Sequence, residues 1–140
     1  MFKSTRNKGF QMTFKNGITI SVQFGYMNYC SRKNEYPFDS TKLEEQDEMR
    51  QPFIESETAE IAIWDKEGKW FKFETDEVKG WVDTDEVATW IKITSESSNL
   101  HQLELYAKIN KIYMMNHHDE PEFDSAGFTY DDNFEDGLGY

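Results

Sequence analysis

Cys30, in the segment Asn28-Tyr29-Cys30, is the single cysteine of a 140-residue chain whose three histidines are His101, His117 and His118. An imidazole brought beside that thiol would make a nucleophile, and a strand end is a suitable place for one. The opposing reading of the same residue is a small apolar filler. A second group, His117-His118-Asp119-Glu120 with Glu122 and Asp124, gathers metal-ligating side chains. It forms neither an HExxH helix nor a cysteine-paired zinc site, and its carboxylates do not alternate around a glycine turn. Weak adventitious cation binding is expected there, not a built site, and no cofactor is implied. Gly25, Gly68 and Gly80 are isolated, so neither GxGxxG nor a P-loop can be built, and there is no GxSxG elbow. Carboxylates are too plentiful for an acid–base pair to be singled out. The expectation is a protein that is not an enzyme, with a small enzyme using Cys30 as the exception to test.

Residue types suited to recognition are more prominent. Trp64, Trp70, Trp81 and Trp90 contribute large areas, either to a core or to a partner surface. Alternation puts Trp64 and Trp70 on the side of their strands opposite Ile61, Ile63, Phe71 and Phe73. If helices cover only one side, one of these two sets is left as a binding face. Near the C-terminal end, Asp119, Glu120, Glu122, Asp124, Asp131, Asp132, Glu135 and Asp136 alternate irregularly with aromatics such as Phe134. Such a segment could occupy a basic groove on another protein, with carboxylates standing for phosphates and aromatics for bases. It could equally fold back on a basic region of its own chain, or remain a solvated tail. The closing Asn133-Phe134-Glu135-Asp136-Gly137-Leu138-Gly139-Tyr140 loosely resembles the acidic, aromatic-ended tails of phage and bacterial single-strand-binding proteins.

The elements that must position these residues follow from periodicity. Residues 10–15 alternate, with Phe10, Met12 and Phe14 on one face. Residues 18–24 do the same with Ile18, Ile20, Val22 and Phe24. Asn16-Gly17 between them predicts a type I′ hairpin turn. A second hairpin is predicted from 59–65 and 70–74 around Lys66-Glu67-Gly68-Lys69. Residues 78–82 add a short edge strand, where Lys79 and Gly80 discourage further pairing. Asp83 with Glu86 predicts a capping box ahead of a helix that carries Val87, Trp90 and Ile91. A second helix is predicted from about 99 to 115, with Leu100, Leu103, Tyr106, Ile109, Ile112 and Tyr113 as its stripe. Strands followed by helices give an α+β domain: an antiparallel sheet of four or five strands, then two helices. It occupies 1–116. Residues 26–58 read as a polar insertion, with a short helix over 42–50 capped by Thr41 and Glu44. Residues 117–140 read as an acidic, mobile tail.

Composition narrows the function classes. The net charge is −12, which argues against a uniformly basic nucleic-acid binder. Yet residues 1–34 hold Lys3, Arg6, Lys8, Lys15, Arg32 and Lys33 and no acid, whereas 117–140 net −8. Head and tail could dock within a monomer, pair between subunits in a homo-oligomer, or await separate partners. No apolar run is long enough for a membrane span, no secretory signal is visible, and one cysteine suits a reducing cytoplasm.

The segments GFQMTFKNGITISVQFGYMNYC at 9–30, ETAEIAIWDKEGKWF at 57–71 and VKGWVDTDEVATWI at 78–91 resemble small uncharacterised proteins of tailed bacteriophages. That resemblance implies expression in the cytoplasm of an infected bacterium and an accessory role, such as blocking a host enzyme or a defence system. The leading expectation is therefore a non-enzymatic protein that binds a host protein through acidic and aromatic surface. The alternative is a single-strand nucleic-acid binder. It would use the six basic residues with Phe10, Phe24 or Tyr26, and the tail would compete for the groove.

Overall fold

The computed structural model describes residues 1–33, 51–74 and 76–112. Five antiparallel strands lie in chain order: β1 (Phe2–Ser4), β2 (Gly9–Thr13), β3 (Thr19–Gln23), β4 (Thr58–Trp64) and β5 (Lys79–Asp83). Two helices follow, α1 (Thr84–Glu96) and α2 (Leu100–Ile109). This is the α+β arrangement that the alternation and the helical stripes predict. The 42–50 helix and the acidic tail fall outside the described residues.

Register fixes the faces. Phe10 pairs with Val22 and Met12 with Ile20; Ile20 pairs in turn with Ile63, and Val22 with Ile61. Because side chains alternate, these residues share one side of the sheet. They are joined there by Ala59, Val82, Phe71 and Phe73, and by Trp90 and Ile93 of α1 and Leu103 and Ala107 of α2. Phe71 and Phe73 meet the Trp90 ring edge-on at 5.8 and 5.2 Å. Both described helices thus pack on this side of the sheet.

Two details depart from the sequence reading. The fifth strand is β1, at the very start of the chain. Residues 70–74 contribute only isolated bridges, Trp64 to Trp70 and Phe73 to Asp76. The chain leaves the sheet after Phe71, whose N–H still donates to Ile63 O at 2.8 Å, and Phe71 and Phe73 enter the core, where they are 4% and 1% exposed.

The second detail is the turn chemistry. The type I′ requirement, positive φ at both central residues, is met at Arg6 (52°) and Asn7 (59°) between β1 and β2. At 14–18 only Gly17 has positive φ (87°), and Gly17 N–H donates to Phe14 O while Phe14 N–H donates to Ile18 O. This is a three-residue loop ending in a glycine bulge, and Asp65–Lys69 repeats it with Gly68 at 85°. Asn16 is freed for another task. Its amide nitrogen donates to the carbonyls of Thr94 (2.8 Å), Ser97 (2.7 Å) and Ser95 (3.4 Å), and its Oδ1 accepts from Ile18 N–H. A hairpin turn thereby satisfies carbonyls that the end of α1 cannot satisfy internally.

Helix starts follow the capping rules in part. Asp83 accepts from Glu86 N–H at 2.9 Å, as predicted. The Glu86 side chain does not complete the box. It accepts instead from Lys79 Nζ and from Trp90 Nε1, the latter at 2.9 Å. Lys79, expected to guard a strand edge, is fully buried on the helix side, with its ammonium 5.9 Å from the Trp90 ring centre. A β-bulge between Ala59 and Ile61 shifts the register so that Lys79 faces inward opposite Ile61. Asn99 caps α2 by accepting from Gln102 N–H at 2.8 Å. That helix ends in a Schellman turn: Lys111 has φ 60°, and Ile112 N–H reaches Ala107 O at 3.0 Å. Ile109, placed in the apolar stripe by sequence, is 71% exposed, and Ala107 holds the buried position instead.

Candidate functional site: the aromatic outer face

The side of the sheet away from the helices combines small polar side chains with aromatic pairs. Its floor is Thr19, Ser21 and Ala62, all buried. A hydrogen-bond network ties this floor to its surroundings. Thr13 and Thr19 hydroxyls lie 2.8 Å apart, Gln23 Nε2 donates to Ser21 at 3.1 Å, and Thr5 donates to Gln23 Oε1 at 3.0 Å. The floor is therefore fixed in place rather than adaptable.

An aromatic pair stands at each end. Trp64 alternates outward from Ile63, and the bridge to Trp70 places the second indole on the same side. Their ring centres are 5.0 Å apart with planes tilted by 31°, and Trp70 is 38% exposed. These are the two tryptophans that alternation assigns to the face opposite Ile61 and Ile63. At the other end Tyr29 stacks on Trp81 with centres 5.7 Å apart and planes 22° from parallel. Tyr29 is 43% exposed, and Lys33 Nζ lies 5.5 Å from its ring centre.

Trp81 is held against its backbone preference. Its φ is 53°, a left-handed conformation that costs a bulky residue about 1–2 kcal/mol. The strain is offset by Trp81 N–H donating to Tyr29 O at 2.9 Å and by the ring stack. Strain of this kind gathers where a side chain must be aimed. Glu60, on the same strand as Trp64, accepts from Asn28 Nδ2 at 3.0 Å, beside Tyr29. Burial pushes its carboxyl above the usual range, against the lowering effect of the Asn28 side chain and the Tyr29 backbone.

Sequence reasoning did not single out Tyr29, Glu60 or Asn28 as binding residues. Nor did it assign Trp81 to a face, and the left-handed backbone there breaks the simple alternation of β5. Tyr29 escaped because residues 26–33 read as the start of the polar insertion. In the fold this stretch is anchored to the sheet: Cys30 is 1% and Arg32 6% exposed, and Ser31 N–H donates to the Thr58 hydroxyl, while Tyr29 stays part-exposed.

The other candidate residues are dispersed. The Cys30 thiol donates to Gly25 O at 3.6 Å and is buried. Burial pushes its pKa up, outweighing hydrogen bonds from the Arg32 backbone and the Ser56 side chain. A thiol so placed has the surroundings of a small apolar filler. His101 is exposed on α2, and His117 and His118 fall outside the described residues. Among the described residues no three His, Cys, Asp or Glu side chains gather as a metal site.

The basic head does not form one groove among the described residues. Lys15 is in the β2–β3 turn beside the end of α1, whereas Arg6 and Lys8 occupy the β1–β2 turn at the opposite end of β2. Arg32 is buried and donates to Glu55 O at 3.3 Å. Phe10 and Phe24 pack against the core on the helix side. The tail residues Asp119, Glu120, Glu122, Asp124, Asp131, Asp132, Phe134, Glu135 and Asp136 lie outside the described residues. No helix among the described residues is long and apolar enough to cross a membrane. No family model matches the chain, and neither a curated protein nor a solved structure matches it.

Proposed function

We propose that the chain is a non-enzymatic binding protein whose outer sheet face docks on a partner protein. The observation that carries this reading is the pair of aromatic stations, Trp64–Trp70 and Tyr29–Trp81, on a face to which no described helix packs. Tryptophan and tyrosine dominate binding energy at interfaces because each brings large area with little conformational freedom to lose. The exposed parts of Trp70 and Tyr29 support the same reading, since each ring is held by its stacking partner and loses little freedom on binding. The resemblance to tailed-phage proteins supports a host protein as partner, bound in the bacterial cytoplasm and inhibited or redirected there. The acidic segment 117–140 would add a second contact to a basic surface of that partner.

Affinity capture of the tagged chain from a bacterial lysate, with nuclease treatment and a moderate-salt wash, tests the reading. One stoichiometric protein that survives both treatments is expected, and removal of 117–140 should weaken its retention. Recovery of nuclease-sensitive material alone would favour nucleic acid and overturn the reading.

A further inference from the structure

The sheet has a free edge. β1 is the terminal strand of the five, and among the described residues no strand pairs with its far side. Register fixes which groups that side offers. Met1 and Thr13 exchange backbone hydrogen bonds at 2.8 and 2.9 Å, and Thr5 N–H donates to Gly9 O at 3.1 Å. Met1, Lys3 and Thr5 therefore direct their backbone groups to β2, and the N–H and C=O of Phe2 and Ser4 point to the open edge. Side chains alternate as well. Phe2 pairs with Met12, and Met12 with Ile20, so Phe2 is on the helix side, where it is nonetheless 77% exposed. Lys3, between Phe2 and Ser4, projects to the outer side.

Charge along this edge decides what can pair there. β1, the turn after it and β2 hold Lys3, Arg6 and Lys8 and no carboxylate. A second copy laid antiparallel along β1 with full overlap would set Lys3 opposite Lys3, and like charges directly opposite destabilise a pair. An acidic strand meets no such obstacle, and the sequence beyond Ile112 supplies one. Residues 128–136 are bracketed by Gly127 and Gly137 and contain Asp131, Asp132, Glu135 and Asp136 and no base. They begin with the alternating run Phe128-Thr129-Tyr130-Asp131, whose aromatic and β-branched residues suit a strand. The connecting residues 113–127 reach roughly 50 Å when extended, more than the roughly 20 Å width of a five-stranded sheet.

We propose that residues 128–131 of the same chain add to the free edge of β1 as a sixth, antiparallel strand, with Tyr130 opposite Phe2, Thr129 opposite Lys3 and Phe128 opposite Ser4. In that register the free backbone groups of Phe2 and Ser4 are all paired. Tyr130 and Phe128 extend the helix-side row and cover Phe2, and Asp131 falls on the Lys3 side within reach of its ammonium. The acidic segment thus closes the edge against a second chain. The inference is independent of the outer-face reading, since it concerns the free chain. A partner that takes the acidic segment would have to displace it from β1.

Amide hydrogen exchange of the full chain, read by NMR with no partner present, tests this. The Phe2 and Ser4 amides should exchange at least about tenfold more slowly in the parent than in Tyr130→Pro, which removes the donor to Phe2 O, while the Ile20 and Ile61 amides stay unchanged. Lys3→Glu, at an exposed position, should lower the protection of Phe2 and Ser4 at least about threefold, and adding Asp131→Lys should restore it. Equal exchange of Phe2 and Ser4 in the parent and in Tyr130→Pro, whether fast or slow, would overturn the proposal. So would protection that grows with protein concentration, because the strand would then come from a second copy.

Discussion

The two faces of the sheet are built from the same strands and solve different problems. On the helix side, Ile20, Ile61, Ile63 and Val82 are fully buried beneath Trp90, and the charged group that enters this layer, Lys79, is met by Glu86. On the outer side, Glu60 is half-buried among neutral donors, and large aromatics remain partly in solvent. The inner carboxylate belongs to an ion pair that the fold must keep. The outer one has its charged form disfavoured by burial. The difference teaches that the inner face is optimised for packing, whereas the outer face retains a desolvation penalty and a strained Trp81 backbone that packing alone does not require.

The largest break in this contrast is on the inner side. Lys79→Met removes the ammonium that meets the Glu86 carboxylate and should lower unfolding free energy by about 3–5 kcal/mol. Urea unfolding would show it. Adding Glu86→Gln, which keeps an acceptor for Trp90, should recover much of that loss. A single variant as stable as the parent would mean that the buried pair does not hold β5 to α1.

Asn16→Ala comes next. It removes donors to the end of α1 and should cost about 1–2 kcal/mol, with enhanced hydrogen exchange at the last turn of that helix. Gly17→Ala would test the turn alone, since Gly17 has φ 87° and a Cβ there would press on the Lys66 side chain at 3.2 Å.

On the outer side the expected stability effects are smaller. Trp70→Ala should shift stability by less than about 1 kcal/mol, since its ring is part-exposed. Its effect should fall on partner affinity. The smallest effect is at Glu60. Its carboxyl pKa lies above the ordinary value in the folded chain, so its favourable contribution is fully present at acid pH and is lost as pH rises through the folded pKa. Glu60→Gln should therefore match the parent in acid and be more stable near neutrality. Thermal melts across pH would read this, and a gap that widened in acid would contradict it.

Much of the fold was legible because alternation and helical spacing are local. Phe10, Met12, Ile18, Ile20, Ile61 and Trp90 took the faces that their periods dictate. Asp83 was found as a cap because its acceptor is three residues from the amide it serves. What escaped depended on distant contacts. Asn16 looks like a type I′ turn residue until α1 is placed above it, 78 residues later. Lys79 looks like an edge guard until a bulge turns it inward. The outer site was half visible: Trp64 and Trp70 follow from alternation, but Tyr29 meets Trp81 only through a loop that pattern reading assigned to an insertion.

The central claim is that the outer aromatic face carries binding. The most direct measurement compares capture by the parent chain with capture by Trp64→Ala/Trp70→Ala and by Tyr29→Ala, after melting curves confirm that the variants are folded. The account predicts a stoichiometric, nuclease-resistant partner with the parent and its loss, or at least about tenfold weaker retention, with the variants. Undiminished capture by folded variants would contradict it.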